Sequence, residues 1–182
     1  MFPHLVAPLL LVEDVQIGEI IMSSTIDETS KIVEEYFGTQ KDPHQITTSP
    51  ENRNWIYKNI KYYLNIIKHK DKIIGFSFML PATKELMDKF ISKKISEAEL
   101  FEKIKISNVP QIPEAIYLCS AVIKKEFRGK GLATQASIKL INKFIDNSRQ
   151  KPILFYWAWS NEGEKLAIKM AKLTNLELKY RK

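Results

Sequence analysis

The chain predicts a mixed α/β (α+β) fold, helices flanking one sheet, and three stretches predict it. Ala115–Ile123 is an apolar run rich in strand formers that leaves through residues 124–127 into the turn Arg128-Gly129-Lys130-Gly131. After that turn Leu132, Ala136, Leu140 and Phe144, with Ile141 and Ile145, recur at helical spacing to about Asn147. A second strand-like run, residues 152–159, follows at the distance a right-handed parallel crossover requires. Ahead of both, residues 65–69 and 72–80 read as strands joined by a tight turn at Lys70-Asp71, a hairpin.

The remaining elements follow in chain order. Residues 15–22 alternate loosely and predict a first strand. Thr25-Ile26-Asp27-Glu28 has the form of a capping box and opens a helix over residues 29–37. Ser49-Pro50-Glu51 opens the next, with proline in its first turn and Trp55, Ile56, Ile60, Tyr63 and Leu64 on its apolar side. Between the hairpin and Ala115, the spacing of Leu86, Met87, Phe90, Ile91, Ile95, Leu100, Phe101 and Ile104 is helical, and Pro110 and Pro113 end the segment. Ser160-Asn161 opens a last helix after the second parallel strand, and residues 176–182 supply a sixth strand.

With 182 residues, 45% of them hydrophobic, the chain is long enough for one good core, so a single domain over 1–182 with a helical insertion at about 82–112 is expected. Six glycines and eight prolines leave no linker or low-complexity stretch. The one cysteine, Cys119, excludes an internal disulfide and suits a cytoplasmic, reducing compartment. Residues 5–12 are too short to span a bilayer and are interrupted by Pro8, so no membrane partner is expected. The formal charge of +7 would attract nucleic acid, anionic membrane or a polyanionic small molecule alike. Its lysines are dispersed and no nucleic-acid motif accompanies them, which leaves a basic nucleic-acid-binding domain as the weakest of the alternatives.

The segment Arg128-x-x-Gly131-x-Ala133, with the strand and exit that precede it from Ala121 to Phe127, resembles the signature of the GNAT superfamily of N-acetyltransferases. The resemblance covers residues 114–175 in motif and the rest in topology. It implies a twisted, mostly antiparallel sheet whose fourth and fifth strands run parallel and splay apart, admitting the pantetheine arm of acetyl-CoA. Main chain at Val122 and Ile123 would hold that arm. The backbone of Gly129, Lys130, Gly131, Leu132, Ala133 and Thr134 would meet the phosphates, with charge from Arg128 and Lys130 and a hydroxyl from Thr134. Asn161 falls where such enzymes carry an Asn near the cofactor. Independently of any family, a glycine turn opening a helix is a ready anion site, because the first N–H groups lack partners and the helix dipole points at them.

The implied reaction is direct attack of a neutral primary amine on the thioester, which needs a base and donors for the developing oxyanion. Val122 lies in the strand that would offer the donors. Alignment on Arg128 puts Tyr117 where some members carry a carboxylate, and the nearest carboxylate is Glu114. These two are the candidate catalytic residues, and their odd separation sets them on opposite faces of a regular strand. The tyrosine that usually protonates the thiolate would fall among Ile168, Lys169 and Met170 and is missing, so Tyr156, Tyr180 or water is left for that role. That gap keeps a non-catalytic acyl-CoA-binding protein in play. Trp157 and Trp159, alternating in a strand, read as core. Cys119, without a histidine nearby in sequence, reads as a packed small side chain. His4, His44 and His69 have no ligand-like spacing, so no metal is expected. The acceptor, a small molecule or a protein, is not specified. The short C-terminal segment leaves a sheet edge that residues 5–12 or the second subunit of a homodimer would cover. The insertion has its own apolar face and is expected to cap the acceptor side or to meet that second subunit.

Overall fold

The computed structural model describes residues 14–18, 21–107, 112–145 and 150–182. The expected helix end near Asn147, residues 5–12, residues 19–20 of the expected first strand and Pro110 lie outside the described residues; that strand ends at Ile17, and Met22, its expected end, is instead the cap of the first helix. Six strands, β1 (Val15–Ile17), β2 (Leu64–His69), β3 (Lys72–Ala82), β4 (Ala115–Ile123), β5 (Ile153–Tyr156) and β6 (Leu178–Tyr180), form one sheet in chain order. Pairing from β1 to β4 is antiparallel, and β4–β5 and β5–β6 are parallel. Helices α5 (Leu132–Ile145) and α6 (Asn161–Thr174) supply the two crossovers. The β2–β3 hairpin turns on Lys70 and Asp71 at φ 46° and 64°, the pair of left-handed residues that a two-residue primed turn demands.

Alternation along the hairpin sorts the two sides of the sheet. Asn65 and Ser77 meet α5 through an Asn65 Nδ2 bond to the Ala136 carbonyl at 2.8 Å and a Ser77–Ser137 hydroxyl pair at 2.8 Å. Leu64, Phe76 and Phe78 face the other way, toward α1 (Ser23–Phe37) and α2 (Pro50–Asn59). That second side also carries the insertion, which folds as α3 (Lys84–Ile91) and α4 (Glu97–Ile106). Thr83 and Ser96 cap the two helices, Ser96 reciprocally with Glu99. Met87, Phe90, Leu100, Phe101 and Ile104 are all at most 1% exposed, and Phe90 packs edge-on against Tyr117 and Phe155 of the sheet. The insertion therefore spends its apolar face inside this chain. Leu86 and Ile91, at the edge of that face, are half-buried and Ile106 is exposed.

Two local expectations are corrected. The first helix starts at Ser23, not at 29, so Thr25 and Glu28 lie within it. Thr25 does accept from an N–H, that of Met22 at 3.3 Å, while the Thr29 and Ser30 hydroxyls fold back onto carbonyls one turn earlier. Burial of Ile26, Thr29 and Ile32 on one face holds this polar run helical, and the hydroxyls satisfy themselves locally within it. The fifth strand ends at Tyr156 instead of 159, because only 153–155 find partners on β4, at 115–117. Beyond that point the strands separate. Trp157 is half-buried and Trp159 is 56% exposed, so Trp159 is not core.

Candidate functional site

The separation of β4 from β5 is the central feature of the molecule. β4 stays paired with β3 as far as Ile123 but leaves β5 after Tyr117. Into the gap opens a cavity of about 750 Å³, bounded by residues 121–123 of β4, by Arg128, Gly129 and Gly131, by Leu132, Ala133 and Thr134 of α5, and by residues 156–160 across from them. Gly129 and Gly131 adopt φ 77° and 73°. A Cβ at Gly129 would have nothing within 4 Å and at Gly131 only Gln135 Nε2 at 3.8 Å, so packing does not require glycine there. The backbone turn does, and the space above it stays open. The N–H groups of the first turn of α5 begin at that open space, and the bonds from Asn65 and Ser77 hold the helix in place on the sheet. The arrangement suits an extended ligand with an anionic end.

Of the sequence-predicted contacts, Val122, Ile123, Arg128, Gly129, Gly131, Leu132, Ala133 and Thr134 all stand in the cavity wall. Arg128 is pinned at the rim, its Nε donating to the Ile123 carbonyl at 2.9 Å and its guanidinium 5.5 Å from the Tyr36 ring. Lys130 is not in the wall; its ammonium lies 5.5 Å from the Phe127 ring. Asn161 is also outside it. Ser160 caps α6 by accepting from the Gly163 N–H at 3.1 Å, and it is Ser160, Glu162 and Gly163 that face the cavity.

A smaller pocket of about 100 Å³ opens on the α1–α2 side and shares Phe37, Phe78, Cys119, Ser120 and Trp159 with the large one. The junction is a β-bulge. Phe78 pairs with Ser120 and Met79 with Leu118, so Cys119 is the extra residue, left out of the ladder where the two cavities meet. Burial, with the Glu97 charge beside it, pushes the Cys119 thiol well above its usual range, so it stays protonated and is no nucleophile.

The two candidate catalytic residues are not brought together. Glu114 is exposed just ahead of β4, where its Oε2 accepts from the Lys84 N–H at 2.9 Å and so caps the insertion's first helix. It touches neither cavity wall. Tyr117 is fully buried and donates its hydroxyl to Glu97 Oε1 at 2.7 Å. Burial, the Glu97 charge and this bond all hold the Tyr117 phenol well above its usual range. It is a donor, not a base. Glu97 itself lines the small pocket, 6% exposed, with Oε2 accepting from the Ile46 N–H at 3.2 Å. Burial raises its carboxyl above the usual range against the lowering effect of those two bonds.

Glu97 is the residue that reading the sequence missed. It sits in the first turn of α4, where an acid is ordinary dipole chemistry. A signal was present. Glu97 precedes Leu100, Phe101 and Ile104 by three, four and seven positions, which puts a carboxylate on the buried stripe of its helix. For the missing acid, Tyr156 lines the large cavity at 6% exposure, its phenol raised by burial and by neighbouring Glu164 and Tyr180. Tyr180 is 49% exposed and outside the wall. Among the described residues no group of three or more His, Cys, Asp or Glu is placed to hold a metal ion, and no helix is long and apolar enough to cross a membrane.

No protein-family model and no curated protein sequence matches the chain. Solved structures do. One is the polyamine N-acetyltransferase of Drosophila melanogaster, an enzyme that catalyses the formation of N-acetylagmatine; it is 8% identical, with a TM-score of 0.55 over 87% of this chain and 82% of that one. An apo form of a mutant agmatine N-acetyltransferase matches with the same identity, TM-score and coverage. At 8% identity this establishes a shared fold, the GNAT fold, with its mixed sheet flanked by helices.

Proposed function

We propose that the chain is an N-acetyltransferase that binds acetyl-CoA between β4 and β5 and passes its acetyl group to a primary amine arriving through the small pocket. The observation that carries this reading is the gap itself: two parallel strands that part over a glycine turn and a helix N-terminus. An apolar, strand-lined passage suits the pantetheine arm, and open backbone N–H groups of residues 129–134 suit its pyrophosphate. Arg128 adds charge at the rim. Lys130 and Asn161 are assigned supporting positions only, outside the wall. When bound, acetyl-CoA supplies the activated acyl group; the protein orients it, excludes water and moves protons.

The small pocket meets the large cavity at Cys119 and Ser120, where β4 leaves its ladder and backbone donors can face a developing oxyanion. Tyr156 is assigned as proton donor to the departing thiolate. The rival reading, a non-catalytic acyl-CoA-binding protein, is favoured by one observation, the occupation of 168–170 by Ile, Lys and Met. A panel of primary amines, assayed by the free thiol released from acetyl-CoA, separates the two. Amine-dependent thiol release that falls by about tenfold or more in Tyr156→Phe supports the enzyme and its acid. Binding of acetyl-CoA with no amine-dependent release supports the rival.

A further inference from the structure

The small pocket has a composition that narrows the acceptor, an inference that rests on the reading above. Its walls are largely aliphatic and aromatic, from Ile26, Val33, Ile46, Leu64, Phe76 and Phe78. Among its described lining residues Glu97 is the acid and Arg53 the base. At about 100 Å³ it is smaller than the roughly 150 Å³ cavity that accepts a benzene molecule, which is room for an alkyl chain of a few carbons. One carboxylate suits one ammonium. A second cation at the far end of the acceptor would find no further carboxylate in the lining, where Arg53 is already paired with Asp27 at 2.9 Å, and would lose its hydration without a partner.

We propose that Glu97, delivered by the insertion, is the carboxylate that receives and deprotonates the acceptor, and that the acceptor is a small monoamine with an apolar body. Glu97 is held for this from several sides. The Tyr117 hydroxyl on β4 and the Ile46 N–H fix its two oxygens at 2.7 and 3.2 Å. Arg181, after β6, lies near enough to favour its charge and is itself fixed by a bond to the Ile95 carbonyl at 2.7 Å and by the Phe90 and Trp157 rings. Asp42 opposes that charge, while the Cys119 thiol stays neutral and Arg53 faces the same space. In the reaction the bound ammonium gives one proton to Glu97, and the freed lone pair forms the C–N bond at the thioester carbonyl carbon. The C–S bond breaks with its electron pair on sulfur. The sulfur takes its proton from Tyr156, which recovers the second amine proton, and the proton on Glu97 passes to solvent, so one amide, one thiol and one proton result.

Glu97→Gln, with Glu97→Asp as the conservative partner, is the test, using n-butylamine and 1,4-diaminobutane, which differ by one ammonium group. Wild type is expected to favour n-butylamine in kcat/KM by about tenfold or more. Glu97→Gln should lower its turnover about 100-fold or more and abolish the acid limb of the pH–rate profile while acetyl-CoA affinity is kept; Glu97→Asp should restore that limb. Without any acetyl-CoA, the urea midpoint of wild type relative to Glu97→Gln should fall as pH rises, because the folded protein holds the Glu97 proton more tightly than the unfolded chain does. Retained turnover and an unchanged pH profile in folded Glu97→Gln, a pH-independent midpoint difference, or preference for the diamine overturns the proposal. Wild type that binds acetyl-CoA but acetylates neither amine overturns it as well. Failure of wild type to bind acetyl-CoA overturns the underlying reading instead.

Discussion

The two cavities of this protein sit on one bulged strand and are built in opposite ways. The large one is centred on neighbours in sequence, a strand, a turn and a helix within residues 121–134, and is completed by the end of β5, α6, β3 and the end of α1. The small one is assembled from residues 26–56, 64–78, 97, 119–120 and 159, and its carboxylate comes from an insertion. The first depends on main chain and on glycine, the second on side chains that only long-range packing brings together. Backbone sites tolerate change in most side chains around them, whereas the small pocket depends on each part of the packing that holds Glu97.

That contrast can be broken most forcefully through the insertion. Phe90 is wholly buried between Tyr117 and Phe155, so Phe90→Ala should cost about 3–5 kcal/mol of stability by denaturant unfolding. For the same reason replacing residues 82–112 by a short turn should unfold the chain rather than trim a cap. A selective loss of acceptor kinetics in a stable deletion would show the two regions to be more separable than their packing indicates. Tyr117→Phe, which removes one bond from Glu97, should destabilise by about 1.5–3 kcal/mol where Glu97 is ionised and less at lower pH, where it is protonated. A destabilisation independent of pH would mean that the bond does not depend on the Glu97 charge.

Smaller effects sharpen the same comparison. The raised Glu97 carboxyl contributes stability below the ordinary glutamate range, and that contribution is lost as pH climbs through the folded-state value. Wild type should accordingly lose ground to Glu97→Gln in urea midpoints as pH rises above the ordinary glutamate range. Glu114→Gln should leave the rate and its pH profile unaltered, since Glu114 caps α3 away from both cavities, and should cost only about 0.3–1 kcal/mol of stability. A shifted pH–rate limb in that variant would return Glu114 to the mechanism.

The same division governs what could be read from the sequence. β4, with its bounds, the primed turn at Lys70-Asp71, the cap at Ser49 and the glycine turn all follow from local rules and appear where expected. So does most of the large cavity's wall, because a strand, turn and helix carry their geometry with them. The bulge at Cys119, the early end of β5 and the Tyr117–Glu97 bond depend on pairing between segments some twenty to forty residues apart. No periodicity reports those. Sequence position alone marks Tyr117; what its hydroxyl touches is decided by the docking of α4. Glu114 is marked by its charge, and that charge serves a helix end.

The central claim is that the turn between β4 and α5 receives the phosphates of acetyl-CoA, and calorimetric titration of acetyl-CoA into wild type and Gly131→Val tests it most directly. Gly131 has φ 73° with open space beside it, so a branched side chain both strains the turn and fills the approach to the N–H groups. One site per chain is predicted for wild type. Affinity should fall by at least about tenfold, or 1.4 kcal/mol, in a variant whose far-ultraviolet circular dichroism shows it folded. Absence of binding in wild type, or equal affinity in folded Gly131→Val, would contradict the account.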